Sequence, residues 1–460
     1  MSPDPTGPSP DLARRTRPRP HPDAVAGGLA IGLVVVAAVV GGLLWLAGSP
    51  VYAPAAPLFA HWLPHAGPGT PPAVAIAVLV CVHGPRVAAT LSWRWLPVVA
   101  YPTAVAWTLA LALVDGWDRG VAGRLTTTHE YLHEVPGVTD VPAMLAGFTG
   151  RILDFQPDSW TTHVSGHPPG ALLVFVALDR LGLGGGGWAG MLCVLTGALI
   201  AVAVPWTVRS LGTDDAARAA VPFVVLFPGA VWVGVSADGL FAGVTATGIA
   251  LLASGAVRRR PVRLFTAGVL LGFGCFLSYG LVLMAPIALA VLVLARTRVL
   301  IAVWAPVGAA VVVAAFAAAG FWWPTGYHLV IERYYQGIAT DRRYAYWVWA
   351  NLAALTVSAG PAAAAIVRRA ASRAVRAVRP RIMPRRGPHA TWVLVAAAVL
   401  AILAADASGY SKAEVERIWL PFAIWLLAGA GMLPLRHHRA WLGVQAAVAL
   451  IVNHLLLTHW

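Results

Sequence analysis

Residues 24–46 read AVAGGLAIGLVVVAAVVGGLLWL, twenty-three residues without a charge. At 1.5 Å rise per residue a helix of that length reaches roughly 35 Å, enough to cross a hydrocarbon core of about 30 Å. Inside such a core no water completes a backbone hydrogen bond, so the segment must be helical. Similar apolar runs recur at about 73–90, 95–114, 188–208, 217–235, 238–256, 263–277, 279–295, 299–320, 346–367, 391–405, 418–434 and 440–458, predicting thirteen spans. The expected fold is therefore all-α, a polytopic transmembrane bundle over residues 24–460 behind a Pro- and Arg-rich disordered cytoplasmic tail, residues 1–23. No small-residue cleavage site follows the first run, so it stays as an anchor.

Composition supports this reading. The 460 residues are 58% hydrophobic and 11% charged, with mean hydropathy +0.72. A soluble domain carries about 25% charged residues. Short alternating segments of the kind a membrane barrel needs are not seen. The net charge of +14 does not imply nucleic acid, because the arginines sit in short loops and one linker, as cytoplasmic segments of membrane proteins do. Lys412 is the single lysine, an Arg bias typical of a GC-rich genome and actinobacterial in style. Cys81, Cys193 and Cys275 lie in apolar runs without metal-type spacing.

The arginines also set orientation. Arg14–Arg19, Arg86, Arg94, Arg209, Arg218, Arg258–Arg260, Arg296, Arg298, the basic linker 368–390, Arg436 and Arg439 are expected inside, placing the N-terminus in the cytoplasm of a plasma-membrane protein. Loops 115–167, 321–345 and 406–417 then fall outside. The run Ala171–Leu178 is too short to cross, and counting it would put Arg209, Arg218 and Arg258–Arg260 on the wrong faces. It is expected to be a re-entrant or interfacial half-helix. The linker reads as an ordinary positive-inside loop, with contact to anionic headgroups as the alternative.

Polar residues gather in the outer loops. Asp115 directly follows an apolar run, where a carboxylate stays ionised and can take a proton from a hydroxyl; Asp118 stands three residues on. Both also fit polar end-markers of a helix. His129-Glu130-Tyr131-Leu132-His133 matches HExxH, the zinc-peptidase pattern, but Pro136-Gly137 leaves it barely two turns. His163 and His167 flank the turn HVSGHPPG, whose prolines open a helix at an end suited to phosphate. Asp238, in SADG, belongs at the surface because an acid at mid-membrane is costly. Arg333, Arg342 and Arg343 offer forked donors for phosphate beside tyrosines. Lys412, Glu416 and Arg417 lie in SKAEVERIWLP, where an external arginine breaks the charge trend and needs another benefit. An anionic lipid phosphate or an internal Glu–Arg pair would supply it.

In order along the chain, Asp115, His167-Pro168-Pro169-Gly170, Ser236-Ala237-Asp238-Gly239-Leu240-Phe241, Gly272-Phe273-Gly274 through Ser278-Tyr279-Gly280, and Ser411-Lys412 through Glu416-Arg417-Ile418-Trp419-Leu420-Pro421 resemble the motifs of the GT-C superfamily of membrane glycosyltransferases. The resemblance is to actinobacterial mannosyl- and arabinosyltransferases. It implies a polyprenyl-phosphate sugar donor, a lipid or glycan acceptor of the cell envelope, transfer with inversion on the outer face, and Asp115 as general base, with Asp118 as fallback. It further implies that Arg417, Lys412 and His167 hold the donor phosphate. Tyr279 replaces the usual base of the hairpin motif, and an extra helix pair precedes the acid. The motifs fix no cofactor, and a divalent cation is left open. The competing reading is a transporter or flippase for a lipid-linked or anionic substrate, which would show internal repeats and charges near the midplane.

Overall fold

In a computed structural model, residues 21–378, 386–387 and 389–459 are described. Thirteen helical segments organise them: α1 (Pro22–Leu46), α2 (Thr70–Thr90), α3 (Leu96–Asp115), α4 (Pro169–Arg180), α5 (Gly186–Leu211), α6 (Asp214–Val225), α7 (Ala237–Arg258), α8 (Pro261–Leu277), α9 (Val299–Ala318), α10 (Tyr344–Ala359), α11 (Pro361–Val378), α12 (Ala390–Ser408) and α13 (His438–Leu455). Seven are long and apolar enough to cross a membrane, namely α1, α2, α3, α5, α7, α9 and α12, and α10 with α11 would make eight. The chain is thus a multi-pass helical membrane protein; beside the long helices stand three shorter apolar ones, Pro261–Leu277, Tyr279–Ala295 and Leu420–Met432, and the count of thirteen spans is not confirmed among the described residues.

The difference has physical causes. Residues 217–235 break into α6 and a single turn, and residues 418–434 into short helical pieces. The expected span 346–367 is bent by 108° between α10 and α11. The bend falls at Gly360, whose φ of 81° suits glycine. The basic linker consequently starts as helix, since Arg368 to Arg376 belong to α11; residues 379–385 and 388 lie outside the described residues. So do residues 1–20 of the expected tail, and α1 begins already at Pro22. The Ala171–Leu178 run lies within α4, twelve residues long and buried along Ala171, Leu172, Phe175 and Val176.

Prolines in the first turn start several helices, where a missing N–H costs nothing: Pro22, Pro71, Pro97, Pro169, Pro261 and Pro361. Small residues let helices touch. A Cβ at Gly268 of α8 would lie 1.9 Å from the Ala305 carbonyl oxygen of α9, and one at Gly308 would lie 2.1 Å from that of Phe265. The all-α expectation misses one element. Strands β1 (Ala60–Trp62) and β2 (Leu456–Thr458) pair antiparallel, with Ala60 opposite Thr458.

The helix ends are sorted into two faces. At one end stand Arg94, Arg209, Arg218, Arg258, Arg298 and Arg436; the carboxylates there are Asp23, Asp214 and Asp215. Asp214 bonds Arg209 (3.0 Å) and Arg218 (2.6 Å), and Asp23 pairs with Arg368 and Arg369. The other end carries Asp115 at the close of α3, Asp238 at the start of α7 and Asp406 at the close of α12. The long loops pack over it.

Candidate functional site

The loop end contains a buried chain of charges. Ser236 caps α7, its hydroxyl accepting from the Gly239 N–H at 3.4 Å. Asp238 therefore sits in the first turn, where the helix dipole favours a carboxylate. Its Oδ2 meets Arg417 Nη1 at 2.7 Å. Arg417 Nη2 reaches Glu414 Oε2 at 3.1 Å, and Glu414 Oε1 is 2.9 Å from Arg342 Nη1. Asp238, Arg417 and Arg342 are all buried. A charge at such depth is tolerable only when paired and hydrogen-bonded. Burial pushes the Glu414 carboxyl up, but Arg342 and Arg417 outweigh it and hold it at about 2.

The backbone here is unusual. Ala413 and Glu414 have φ of 70° and 62°, a left-handed conformation that costs a non-glycine residue about 1–3 kcal/mol. It turns Glu414 between the two arginines, whose ion pairs offset that cost. Lys412 donates from Nζ to the Ala339 carbonyl at 2.5 Å and lies 5.3 Å from the centre of the Tyr335 ring. Burial, then the nearby Arg342, lowers its pKa.

A second group faces the first. Glu130 Oε1 lies 2.8 Å from His163 Nδ1, and both residues are buried. His167 Nδ1 is 2.8 Å from the His163 carbonyl oxygen and 3.0 Å from the Tyr131 hydroxyl. Burial pulls His167 down to about 4, so the ring is neutral at pH 7. Arg417 also acts on Glu130, and His163 on Glu414, which places the two groups within electrostatic reach. Gly170 lets the HPPG turn dock: a Cβ there would come within 2.5 Å of the Phe276 carbonyl oxygen.

Asp115 forms a separate centre. Arg119 Nη2 and His65 Nε2 approach its Oδ1 at 2.7 and 3.0 Å, and Arg124 Nη2 its Oδ2 at 2.9 Å, leaving the side chain 5% exposed. Arg124 Nη1 donates to the Thr458 carbonyl at 2.6 Å, tying the acid to β2. Asp118 is exposed and makes no ion pair among the described residues. Glu416, next to Arg417 in the chain, ties that segment to the first loop. Its Oε1 accepts from the Phe59 N–H at 3.0 Å, its Oε2 is buried without a partner, and burial pushes its pKa up to about 7.

The structure thus joins His163, His167, Asp238, Arg342, Lys412 and Arg417 in one region. Arg333 borders this region, bonded to Asp154 and, at 3.1 Å, to Ser165 between the two histidines; exposed Arg343 lies outside it, touching Ser49 at 3.3 Å. The HExxH segment does not form the helix a zinc peptidase needs. Glu130 is extended, and Tyr131–His133 is a single tight turn. No group of three or more metal-type side chains comes together among the described residues. Sequence reasoning missed His65, Arg124, the Glu130–His163 pair and the central place of Glu414. For Glu414 a signal existed, since it shares its segment with Arg417 at helical spacing.

No protein-family model and no curated protein matches the chain. Among solved structures, the chain is similar to an oligosaccharyltransferase of Archaeoglobus fulgidus, crystallised with zinc and sulfate. The TM-score is 0.48 at 13% identity, covering 79% of this chain and 53% of that one. The chain spans about half that structure's length, and a likeness at that level leaves function to be argued from the side chains.

Proposed function

We propose that the protein is a membrane glycosyltransferase of GT-C type, moving a sugar from a polyprenyl-phosphate donor to a cell-envelope acceptor, with inversion, at the loop end of the bundle. The observation that carries this reading is the buried Asp238–Arg417–Glu414–Arg342 chain with Lys412 beside it. Three cations against two carboxylates leave one net positive charge at the head of a membrane bundle, a match for a lipid-borne phosphate whose negative charge grows as the sugar departs. Preorganised donors of this kind stabilise that charge without reorganising at the moment of transfer. His167, neutral and held by its backbone contact, would be a hydrogen-bonding partner rather than a charge.

Asp115 is the proposed base. Arg124 is buried and anchored at β2, whereas Arg119 is 49% exposed in its side chain; its withdrawal leaves Oδ1 with His65 as partner and a lone pair for an incoming hydroxyl. The carboxylate would take the hydroxyl proton as the acceptor oxygen attacks the anomeric carbon and the lipid phosphate leaves. The test uses purified protein, radiolabelled polyprenyl-phosphate mannose or arabinose, and membrane acceptors. Transfer should fall by about 10²–10⁴-fold in Asp115→Asn and about 10²–10³-fold in Arg417→Met. Full transfer by Asp115→Asn would remove it as base. Vesicle uptake or flipping of the donor without any transfer would favour a transporter.

A further inference from the structure

We propose that the cleft between α6, α11 and α12, at the arginine end, holds the phosphate of an anionic lipid headgroup. The cleft has a volume of about 480 Å³ and is lined by Thr213, Arg373, Arg376, His389 and Trp392 among others. Its donors have no carboxylate to satisfy them. Along α11, Arg368 and Arg369 are bound by Asp23, but Arg373 and Arg376, a turn or two further on, pair with no acid among the described residues. The Nε of Arg376 bonds the Ser372 carbonyl at 3.0 Å, leaving its terminal nitrogens for another partner. The carboxylates near the cleft are otherwise engaged or exposed: Asp214 serves Arg209 and Arg218, and Asp215 faces outward beside it.

His389 completes the set. Its Nδ1 accepts from the Trp392 indole N–H at 3.2 Å, so its proton sits on Nε2 as a donor. A lipid is favoured over a soluble anion by the lie of α11. It turns 108° from α10, so it crosses the ends of the spanning helices instead of continuing through the bilayer. Its Ala362, Ala363, Ala365, Ile366 and Ala370 are buried against the bundle, and its arginines are left at headgroup level, as in an interfacial helix. The Trp392 ring supplies the amphipathic surface common at that depth.

The inference is independent of sugar transfer. Its test is native mass spectrometry of the purified full chain titrated with phosphatidylglycerol, phosphatidylcholine or inorganic phosphate. Phosphatidylglycerol should bind the Arg373→Gln/Arg376→Gln protein about thirtyfold more weakly, from roughly 1 kcal/mol per arginine at a lipid surface. Arg296→Gln/Arg298→Gln, which removes two exposed arginines elsewhere on the same face, should change it less than about twofold. If the double variant melts early, Arg376→Gln alone, at an exposed position, should still weaken binding about fivefold. Equal loss in both pairs would show diffuse attraction and overturn the site. Phosphatidylcholine held as tightly, or inorganic phosphate displacing the lipid at millimolar levels, would overturn the lipid assignment.

Discussion

The two ends of the bundle use arginine in opposite ways. At the loop end Arg417 and Arg342 are buried and share Glu414 and Asp238, so each cation is fixed by more than one contact. At the other end Arg258, Arg296 and Arg298 are exposed and few acids accompany them. The same side chain is a positioned tool where carboxylates surround it and, at Arg258, Arg296 and Arg298, a loose surface charge. Depth decides which: a buried unpaired cation costs several kcal/mol, whereas an exposed one costs little.

The sharpest way to break this contrast is Arg417→Met. It leaves Asp238 and Glu414 buried without their common partner and should cost about 3–5 kcal/mol, seen as an early thermal transition in detergent. Adding Asp238→Leu should recover at least about 1 kcal/mol without restoring transfer, because one stranded charge is removed. If the single variant melts like wild type, the loop-end network is not structural. Next is Asp23→Asn, which frees Arg368 and Arg369 at the other end. It should lower stability by about 1–3 kcal/mol yet leave transfer unchanged; lost transfer would show that the ends are coupled.

A smaller effect should come from Glu416, whose folded pKa is raised from 4.5 to about 7. A raised carboxyl binds its proton more tightly folded than unfolded. Its stabilising contribution is therefore full below 4.5 and lost as pH rises through about 7. Melting temperatures should fall over that window in wild type and stay flatter in Glu416→Gln. A parallel fall in the variant would locate the titration elsewhere. The smallest effect belongs to exposed Arg258→Gln, which should stay within about 0.5 kcal/mol of wild type with transfer intact.

Much of this contrast was legible in the sequence. Apolar runs, proline starts and the arginine pattern gave the helices and their sorting into two faces, because those signals act locally. The oddly placed Arg417 asks for a compensating anion, a lipid phosphate or an internal carboxylate, and local spacing does not choose between them. What was illegible depends on contacts between distant segments. Nothing in local spacing shows that the Phe59 N–H will meet Glu416, that Arg124 will bridge Asp115 to Thr458, or that Glu130 will pair with His163. The count of thirteen spans is not confirmed, for a related reason. Hydropathy cannot separate a helix that crosses lipid from a short one packed against protein, as with α8, whose Gly268 and Gly272 meet Ala305 and Ala309 of α9.

The β1–β2 ribbon bears on how the molecule is made. Residues 456–458 are synthesised after all the long apolar helices, the last of which ends at Ser408. The bundle can therefore be threaded into lipid while Arg124 still lacks the Thr458 carbonyl that anchors it beside Asp115. Insertion and maturation are then separable events, and a nascent chain stalled before residue 456 should be membrane-embedded with its Asp115 centre unfinished.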